Sequence, residues 1–151
     1  MAKLKITDLG SSVCVDHQNE KLVPALGDGT FGIPGDLCYV VETNGRIAGA
    51  DIDAAEFFVG ILMESKLTGT EDIIGQDVPC TLVVPKSGHN YRIRINVADD
   101  DDEVGAPVTF SDTAGKAETT QSVALTLILG FIGNIALEVL TGDSVAEITW
   151  K

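Results

Sequence analysis

The side chains that most often carry out catalysis are few in this sequence and widely spaced. The two histidines, His17 and His89, lie in predicted turns, and neither has a neighbour at the spacing of a metal site or a catalytic triad. No serine stands in the G-x-S-x-G arrangement of a nucleophile elbow. The sequence therefore predicts no catalytic residue and favours a protein that is not an enzyme.

An acidic run at residues 99–103 is the segment whose chemistry best suits a cation. Clustered carboxylate oxygens are ligands that Ca²⁺ prefers, but the run lacks the alternating spacing and central glycine of an EF-hand loop. A solvated linker is the favoured interpretation, and cation binding stays open. The glycine-rich stretch 27–32 lacks the lysine and the following helix of a phosphate loop, so it is interpreted as a turn. We therefore predict no cofactor and no metal.

The balance of charge limits the partners that the protein can bind. The chain has 151 residues and a formal net charge of −13, and its ten basic residues are spread from Lys3 to Lys151. Binding to a phosphate backbone needs clustered lysines and arginines, so we predict no nucleic-acid partner. The acidic charge favours solubility and repulsion between copies.

The cysteines and the N-terminal residues bear on the compartment. The three cysteines, Cys14, Cys38 and Cys80, cannot all pair and show no C-x-x-C spacing, which is typical of a protein made in a reducing cytoplasm. The first residues lack the apolar run of a signal peptide. Residues 123–140 are largely apolar but are interrupted by glycine, asparagine and glutamate, so we predict core strands there and no membrane partner.

The second half of the sequence repeats the first at an offset of 70 residues. Residues 35–47 align with residues 105–117 without a gap, which places two pairs of glycines in register, Gly35 with Gly105 and Gly45 with Gly115. Residues 59–64 align loosely with residues 132–138, and residues 77–83 align with residues 143–149. A repeat of fixed period indicates two similar structural units.

Within each unit the pattern is that of strands separated by turns. Residues 91–97 alternate strictly, which places tyrosine, isoleucine and valine on one face of a strand. Asn44-Gly45 predicts a hairpin with a type I′ turn, and residues 57–63 are apolar enough for a buried strand. We therefore predict a mainly β protein with little helix, a compact β-barrel or β-sandwich built from two tandem, pseudo-repeated β modules.

Shifts in composition suggest four parts of the chain. They are an N-terminal segment or arm at 1–34, a first β module at 35–98, an acidic linker at 99–104 and a second β module at 105–151. Two questions stay open at this level. The N-terminal segment is either a mobile arm or part of the core, and the repeats form either two barrels or one fused sandwich.

Arg92 and Arg94 lie on the polar face of the alternating strand. One interpretation is a solvent-facing surface with partners among the 23 acidic residues of the chain. The other is a contact with an acidic patch on a partner protein, because a guanidinium binds carboxylates in a bidentate manner.

The repeated segment resembles the small capsid decoration, or cement, proteins of tailed phages. Their pattern is G-D-x-V-Y-x-x-x-x-G-x-v-x-x-A followed by an IGVALE-like strand, a turn and a closing strand. Residues 35–50 and 58–64 are similar to it, and residues 105–150 carry a weaker copy in which Ala106-Pro107 replaces the Gly-Asp start. The resemblance covers about two-thirds of the chain, and its motifs are turns and core positions.

The resemblance implies a non-catalytic protein that binds the outside of an icosahedral capsid and stabilises the lattice. Its partners would be the major capsid protein and neighbouring copies of itself, with oligomerisation left open. Its location would be the outer surface of the virion, after synthesis in the host cytoplasm. An N-terminal arm that adds a strand to the capsid protein, or pairs within its own sheet, completes the candidate capsid contacts: Leu4, Ile6, Val13, Val15, Arg92 and Arg94.

Other functions remain as alternatives. A tail or baseplate component, or a β-rich ligand-binding module, would use a similar fold without attachment to the capsid shell. An enzyme would need catalytic groups brought together from distant loops, with the histidines and the acidic run as its material.

Overall fold

The computed structural model describes residues 13–15, 19–29, 32, 34–63, 77–96, 105–119, 128–134 and 144–151. These residues form ten strands and one 3₁₀ helix, Ile52–Phe57. The strands are β1 Lys21–Leu26, β2 Leu37–Val40, β3 Ile47–Gly49, β4 Phe58–Leu62, β5 Pro79–Val84, β6 Asn90–Asn96, β7 Pro107–Phe110, β8 Ala117–Thr119, β9 Gly130–Asn134 and β10 Ser144–Trp150. The predicted mainly β fold with little helix is confirmed.

The strands form two five-stranded units with the same order of neighbours. The first unit is a sheet in the order β1-β5-β4-β2-β3. The second is a closed barrel whose order, written from β6, is β6-β10-β9-β7-β8. The barrel closes through a parallel pair, β6 with β8. The outer strands of the first unit are joined in the same parallel sense by a bridge between Gly27 and Ile47. Strands β1–β5 therefore correspond to β6–β10.

The registers of the two units agree position by position. The pairs Cys38–Gly60 and Val108–Gly130 are related by an offset of 70 in both members, and every pairing of β2 with β3 recurs between β7 and β8 at that offset. The duplication predicted from the sequence is thus visible in the hydrogen bonding. The predicted alignment of Gly60 with Gly133 is wrong by three residues, because Gly130 occupies the position equivalent to Gly60.

The strand pairing moves the boundaries that composition suggested. Strand β6, which was predicted to end the first module at 35–98, pairs with β10 and β8 in the second unit. Strand β1, within the N-terminal segment 1–34, pairs along its whole length with β5. The turn between β5 and β6 therefore separates the units, and the predicted acidic linker at 99–104 lies outside the described residues.

The β2–β3 hairpin is confirmed, but its turn differs from the predicted type I′. Val41 and Arg46 are the last bonded pair, with an N–H···O distance of 2.8 Å, so four residues form the loop. Gly45 has a φ of +69°, whereas Asn44 is not among the described residues with positive φ. A type I′ turn needs positive φ at both central positions, and the longer loop needs it only at Gly45. Gly115 repeats this conformation in β7–β8 with a φ of +84°.

Each unit has an apolar interior, and the predicted alternation of β6 accounts for one of them. Tyr91, Ile93 and Ile95 are each 0% exposed inside the barrel. The interior of the first unit is a separate cluster of five buried residues: Cys38, Ile47, Leu62, Cys80 and Leu82. All three cysteines are buried and none forms a disulfide.

Candidate interaction site

Arg94 lies at the junction of the two units. Its side chain is 5% exposed, and its Nη1 lies 2.6 Å from Oδ1 of Asp36, whose side chain is 1% exposed. The Arg94 backbone N–H also donates to the carbonyl oxygen of Gly35 over 3.0 Å. Arg94 is therefore neither solvent-facing nor accessible to a partner, and its prediction as a capsid contact is wrong: its face of β6 points outward from the barrel, but the first unit covers it.

The turn of the β7–β8 hairpin completes the junction around Asp36. Leu37 donates its N–H to the oxygen of Gly115, and Gly115 donates to the oxygen of Ala50, both over 2.9 Å. A Cβ added to Gly115 would lie 2.9 Å from Cγ of Asp36. Only glycine combines this positive φ with such a close approach. This hairpin turn of the second unit thus accepts one backbone hydrogen bond from the first unit and donates another to it.

The outer face of the first unit supplies the apolar part of the junction. Leu37, Ile61 and Val83 are neighbours across β2, β4 and β5, and each is 0% exposed. They belong to one buried cluster with residues of the barrel that forms the second unit. Burying a side chain of this size contributes roughly 1.5–3 kcal/mol. Aromatic packing extends this contact, since Phe58 lies 5.5 Å from Phe110 between ring centroids.

Residues 13–15 lie against the barrel of the second unit, which removes Val13 from the predicted capsid contacts. Val13 is 0% exposed, Cys14 forms a bridge with Tyr91, and Val15 donates its N–H to the oxygen of Asn90 over 3.1 Å. The alternative of pairing within the protein's own sheet therefore holds here. Val13 is not accessible to a partner. Leu4 and Ile6, the other predicted contacts of the arm, lie outside the described residues.

Arg92 is the arginine of β6 that retains partial access to solvent. Its side chain is 25% exposed and lies opposite Glu147 on β10, with Nε 3.7 Å from Oε2. The two arginines that the sequence placed on one face thus have different environments. Arg94 joins the two units, and Arg92 forms a cross-strand ion pair within the second.

Glu20 links the segment before β1 to the start of β6. Its Oε1 lies 2.6 Å from Nδ1 of His89, and its Oε2 accepts a hydrogen bond from the Tyr91 hydroxyl over 2.7 Å. Burial, and then the bond to Glu20, raise the pKa of Tyr91 well above its ordinary value. No pattern in the sequence predicts this contact, because Glu20 lies 69 positions before His89. The hydrogen bonds among these three side chains attach the segment before β1 to the barrel.

Open cavities lie on the surface of the described residues. One, of about 270 Å³, is lined by Cys14, Glu20, Leu22 and Met63. Burial, and secondarily Glu20, raise the pKa of the Cys14 thiol to about 11, so the thiol stays protonated at neutral pH and is a poor nucleophile. The second cavity, of about 350 Å³, lies between the β2–β3 hairpin and the 3₁₀ helix.

Comparison with known proteins adds no assignment. No protein-family model matches the chain, and no curated protein matches it. Among the residues that the structure describes, no group of three or more histidine, cysteine or acidic side chains is arranged to hold a metal ion. No helix in the described ranges is long and apolar enough to cross a membrane.

Proposed function

We propose that this protein binds the outside of an icosahedral capsid and stabilises its lattice as a non-catalytic decoration protein. The observation that carries the proposal is the position of the repeated motif. Its two glycines have positive φ in both copies, at Gly35 and Gly45 and at Gly105 and Gly115. The residues that resemble the decoration proteins therefore form the hairpins and the unit junction, which is what motifs of turns and core positions imply.

The charge of the chain supports an outer location in the virion. A protein with a net charge of −13 is repelled by packaged nucleic acid, so the exterior of the shell suits it better than the interior. A cement protein that binds the assembled shell, and not separate subunits, stabilises the lattice by mass action. Its partners under this proposal are the major capsid protein and neighbouring copies of itself, after synthesis in the host cytoplasm.

The N-terminal residues remain a proposed capsid contact, but the proposed arm is now limited to the residues before Val13. Residues 13–15 are joined to β6 of the barrel, so an arm that reaches the capsid has to precede Val13. Leu4 and Ile6 belong to that part of the chain. Arg92, with a side chain that is 25% exposed, is the second proposed contact.

Co-sedimentation with intact, undecorated phage heads tests the proposal, with free capsid subunits as the control. We expect saturable binding to heads alone and increased resistance of the heads to heat. Removing residues 1–12 should weaken this binding while leaving the thermal unfolding midpoint unchanged, because Val13 is retained. Failure of the folded 151-residue chain to bind any assembled shell would reject the proposal.

A β-rich ligand-binding module is the second candidate, and the larger cavity favours it. The cavity combines aromatic side chains with three carboxylates that suit a hydroxyl-rich or cationic ligand; these five lining residues are Tyr39, Phe57, Glu42, Asp51 and Asp53. Asp51 already caps the 3₁₀ helix by accepting from the N–H groups of Asp53 and Ala54. A thermal-shift screen with sugars and amines tests this candidate, and Tyr39→Ala should abolish any stabilisation that it finds.

A further inference from the structure

The junction between the two units joins different surfaces of two equivalent folds. The first unit contributes a head face, formed by Asp36, Leu37, Ile61 and Val83. The second unit contributes a tail face, formed by Arg94 and the hairpin glycine Gly115, with Val145 beside Arg94 on the same side of the sheet. No position of one face is equivalent to a position of the other. The junction is therefore heterologous, and each unit has a second face that the junction leaves unused.

The unused head face belongs to the second unit. The strand registers place it at four residues: Ala106, Pro107, Phe131 and Thr149. The head-face residues of the first unit are 0–1% exposed, whereas Phe131 is 42% exposed and the other three are partly exposed. An apolar surface that one unit buries is thus accessible on the other.

The unused tail face belongs to the first unit. Leu26 and Pro79 pair across β1 and β5 at the positions equivalent to Arg94 and Val145. Leu26 is 36% exposed, and Pro79 and the hairpin glycine Gly45 are also exposed. Their equivalents in the second unit are all buried.

The two unused faces suit each other chemically. At the internal junction an acidic residue meets a basic one, Asp36 with Arg94. At the unused faces the equivalents are Ala106 and Leu26, so both partners of the ion pair are replaced by apolar residues. Exchanging a buried ion pair for apolar side chains is often neutral or stabilising. An unmatched change on either side would have left a charge facing an apolar group.

We propose that this protein self-associates head to tail, with the free head face of one copy docked on the free tail face of a second copy. Two differences make this contact weaker than the internal junction. Pro107 has no N–H to repeat the hydrogen bond from Leu37, and Thr119 has a side chain where Gly49 allows close approach. The internal junction also benefits from the effective concentration that a connected chain provides. Heterologous contacts of this kind produce rings or open chains.

Sedimentation equilibrium of the purified chain tests the proposal without any capsid, so its outcome is independent of the proposed function. The weight-average mass should rise with concentration above the 15.9 kDa of one chain. Leu26→Asp, on the tail face, and Phe131→Asp, on the head face, should each abolish the rise. Leu22→Asp and Phe57→Asp are the matched controls, since these side chains are 54% and 37% exposed outside both faces, and should leave it unchanged.

Mixing the two face variants separates head-to-tail docking from a symmetric dimer. The Leu26→Asp chain keeps its head face and the Phe131→Asp chain keeps its tail face, so an equimolar mixture should form a heterodimer and nothing larger. Pro79→Asp replaces Leu26→Asp if circular dichroism shows that the latter is unfolded. A wild-type chain that stays monomeric at all concentrations, equal effects of the control variants, or a mixture that does not associate would each overturn the proposal.

Discussion

Arg94 and Asp36 are separated by 58 positions in the sequence and belong to different units, yet their side chains meet at 2.6 Å with almost no exposure to solvent. The pair links the middle of β6 to the residue that precedes β2. Charge-assisted hydrogen bonds of this length are stronger than neutral ones, but both groups lose their hydration when they are buried. The consequence is that the stability of each buried charge depends on the presence of the other.

Replacing Arg94 alone should be strongly destabilising. Arg94→Leu leaves the Asp36 carboxylate buried without its cation, which costs about 3–5 kcal/mol in comparable pairs. The double variant Asp36→Ala with Arg94→Leu copies the residues at the equivalent positions, Ala106 and Leu26, and should recover most of that loss. Urea denaturation of the wild type and the two variants measures both effects. A single variant that loses less than about 1 kcal/mol would show that the ion pair contributes little.

Substituting the two hairpin glycines separates the effect of packing at the junction from the effect of backbone conformation, because both have positive φ but only Gly115 has close neighbours. Gly45→Ala places a side chain at positive φ with nothing within 4 Å, so it should cost about 1–2 kcal/mol of conformational strain. Gly115→Ala adds the same strain and brings a Cβ to 2.9 Å from Cγ of Asp36. The unfolding free energy should therefore fall further for Gly115→Ala than for Gly45→Ala. Equal losses would mean that the junction opens enough to accept a methyl group.

The corrected repeat alignment predicts which glycine of β9 is essential. A Cβ at Gly130 would overlap the carbonyl oxygen of Thr149, and at the equivalent Gly60 it would lie 2.7 Å from the carbonyl oxygen of Val83. At Gly133 the nearest atom is a side-chain oxygen, at 3.1 Å, which can move aside. Gly130→Ala and Gly60→Ala should thus lower the melting temperature much more than Gly133→Ala. A thermal melt of all three variants decides between the two alignments.

Glu118 should make stability depend on pH in the acidic range. Burial, and secondarily the charge of Asp112, raise its pKa above the ordinary 4.5. The folded state therefore binds this proton more tightly than the unfolded state, and the stabilisation from protonation is lost as the pH rises through the raised pKa. Glu118→Gln should raise the melting temperature at pH 7 and have no such effect at pH values below 4.5. Asp112→Asn should act in the same direction but less, and a gain that is equal at both pH values would contradict this origin.

The sequence predicted those features of the fold that depend on neighbouring residues. The alternation of Tyr91, Ile93 and Ile95 identified both the strand and its buried face, because a strand repeats every two residues. It did not show that the opposite face, with Arg94, is also covered, since that depends on the first unit. Strand β1 was missed because Pro24 interrupts it. Proline is tolerated there because β1 is the first strand in the order of its sheet.

The junction itself was beyond prediction for a related reason. Asp36 appeared only as part of the motif at the start of the repeat, and Ala106 replaces it in the second copy. Its role depends on Arg94 and Gly115, which reach it through the packing of one unit on the other. Comparison of the repeats identifies the features that the two units share. It does not identify the ion pair, because the residues that form it differ between the units.

The order of the strands has a consequence for synthesis on the ribosome. All five strands of the first unit are contiguous in sequence, so their hydrogen bonds can form once Val84 has left the exit tunnel. The nascent chain then presents Leu37, Ile61 and Val83 to water until β6–β10 have been translated. During that interval a second unit from a neighbouring chain could occupy the same face. Translation speed across residues 85–150 therefore sets the time in which a domain-swapped product can form.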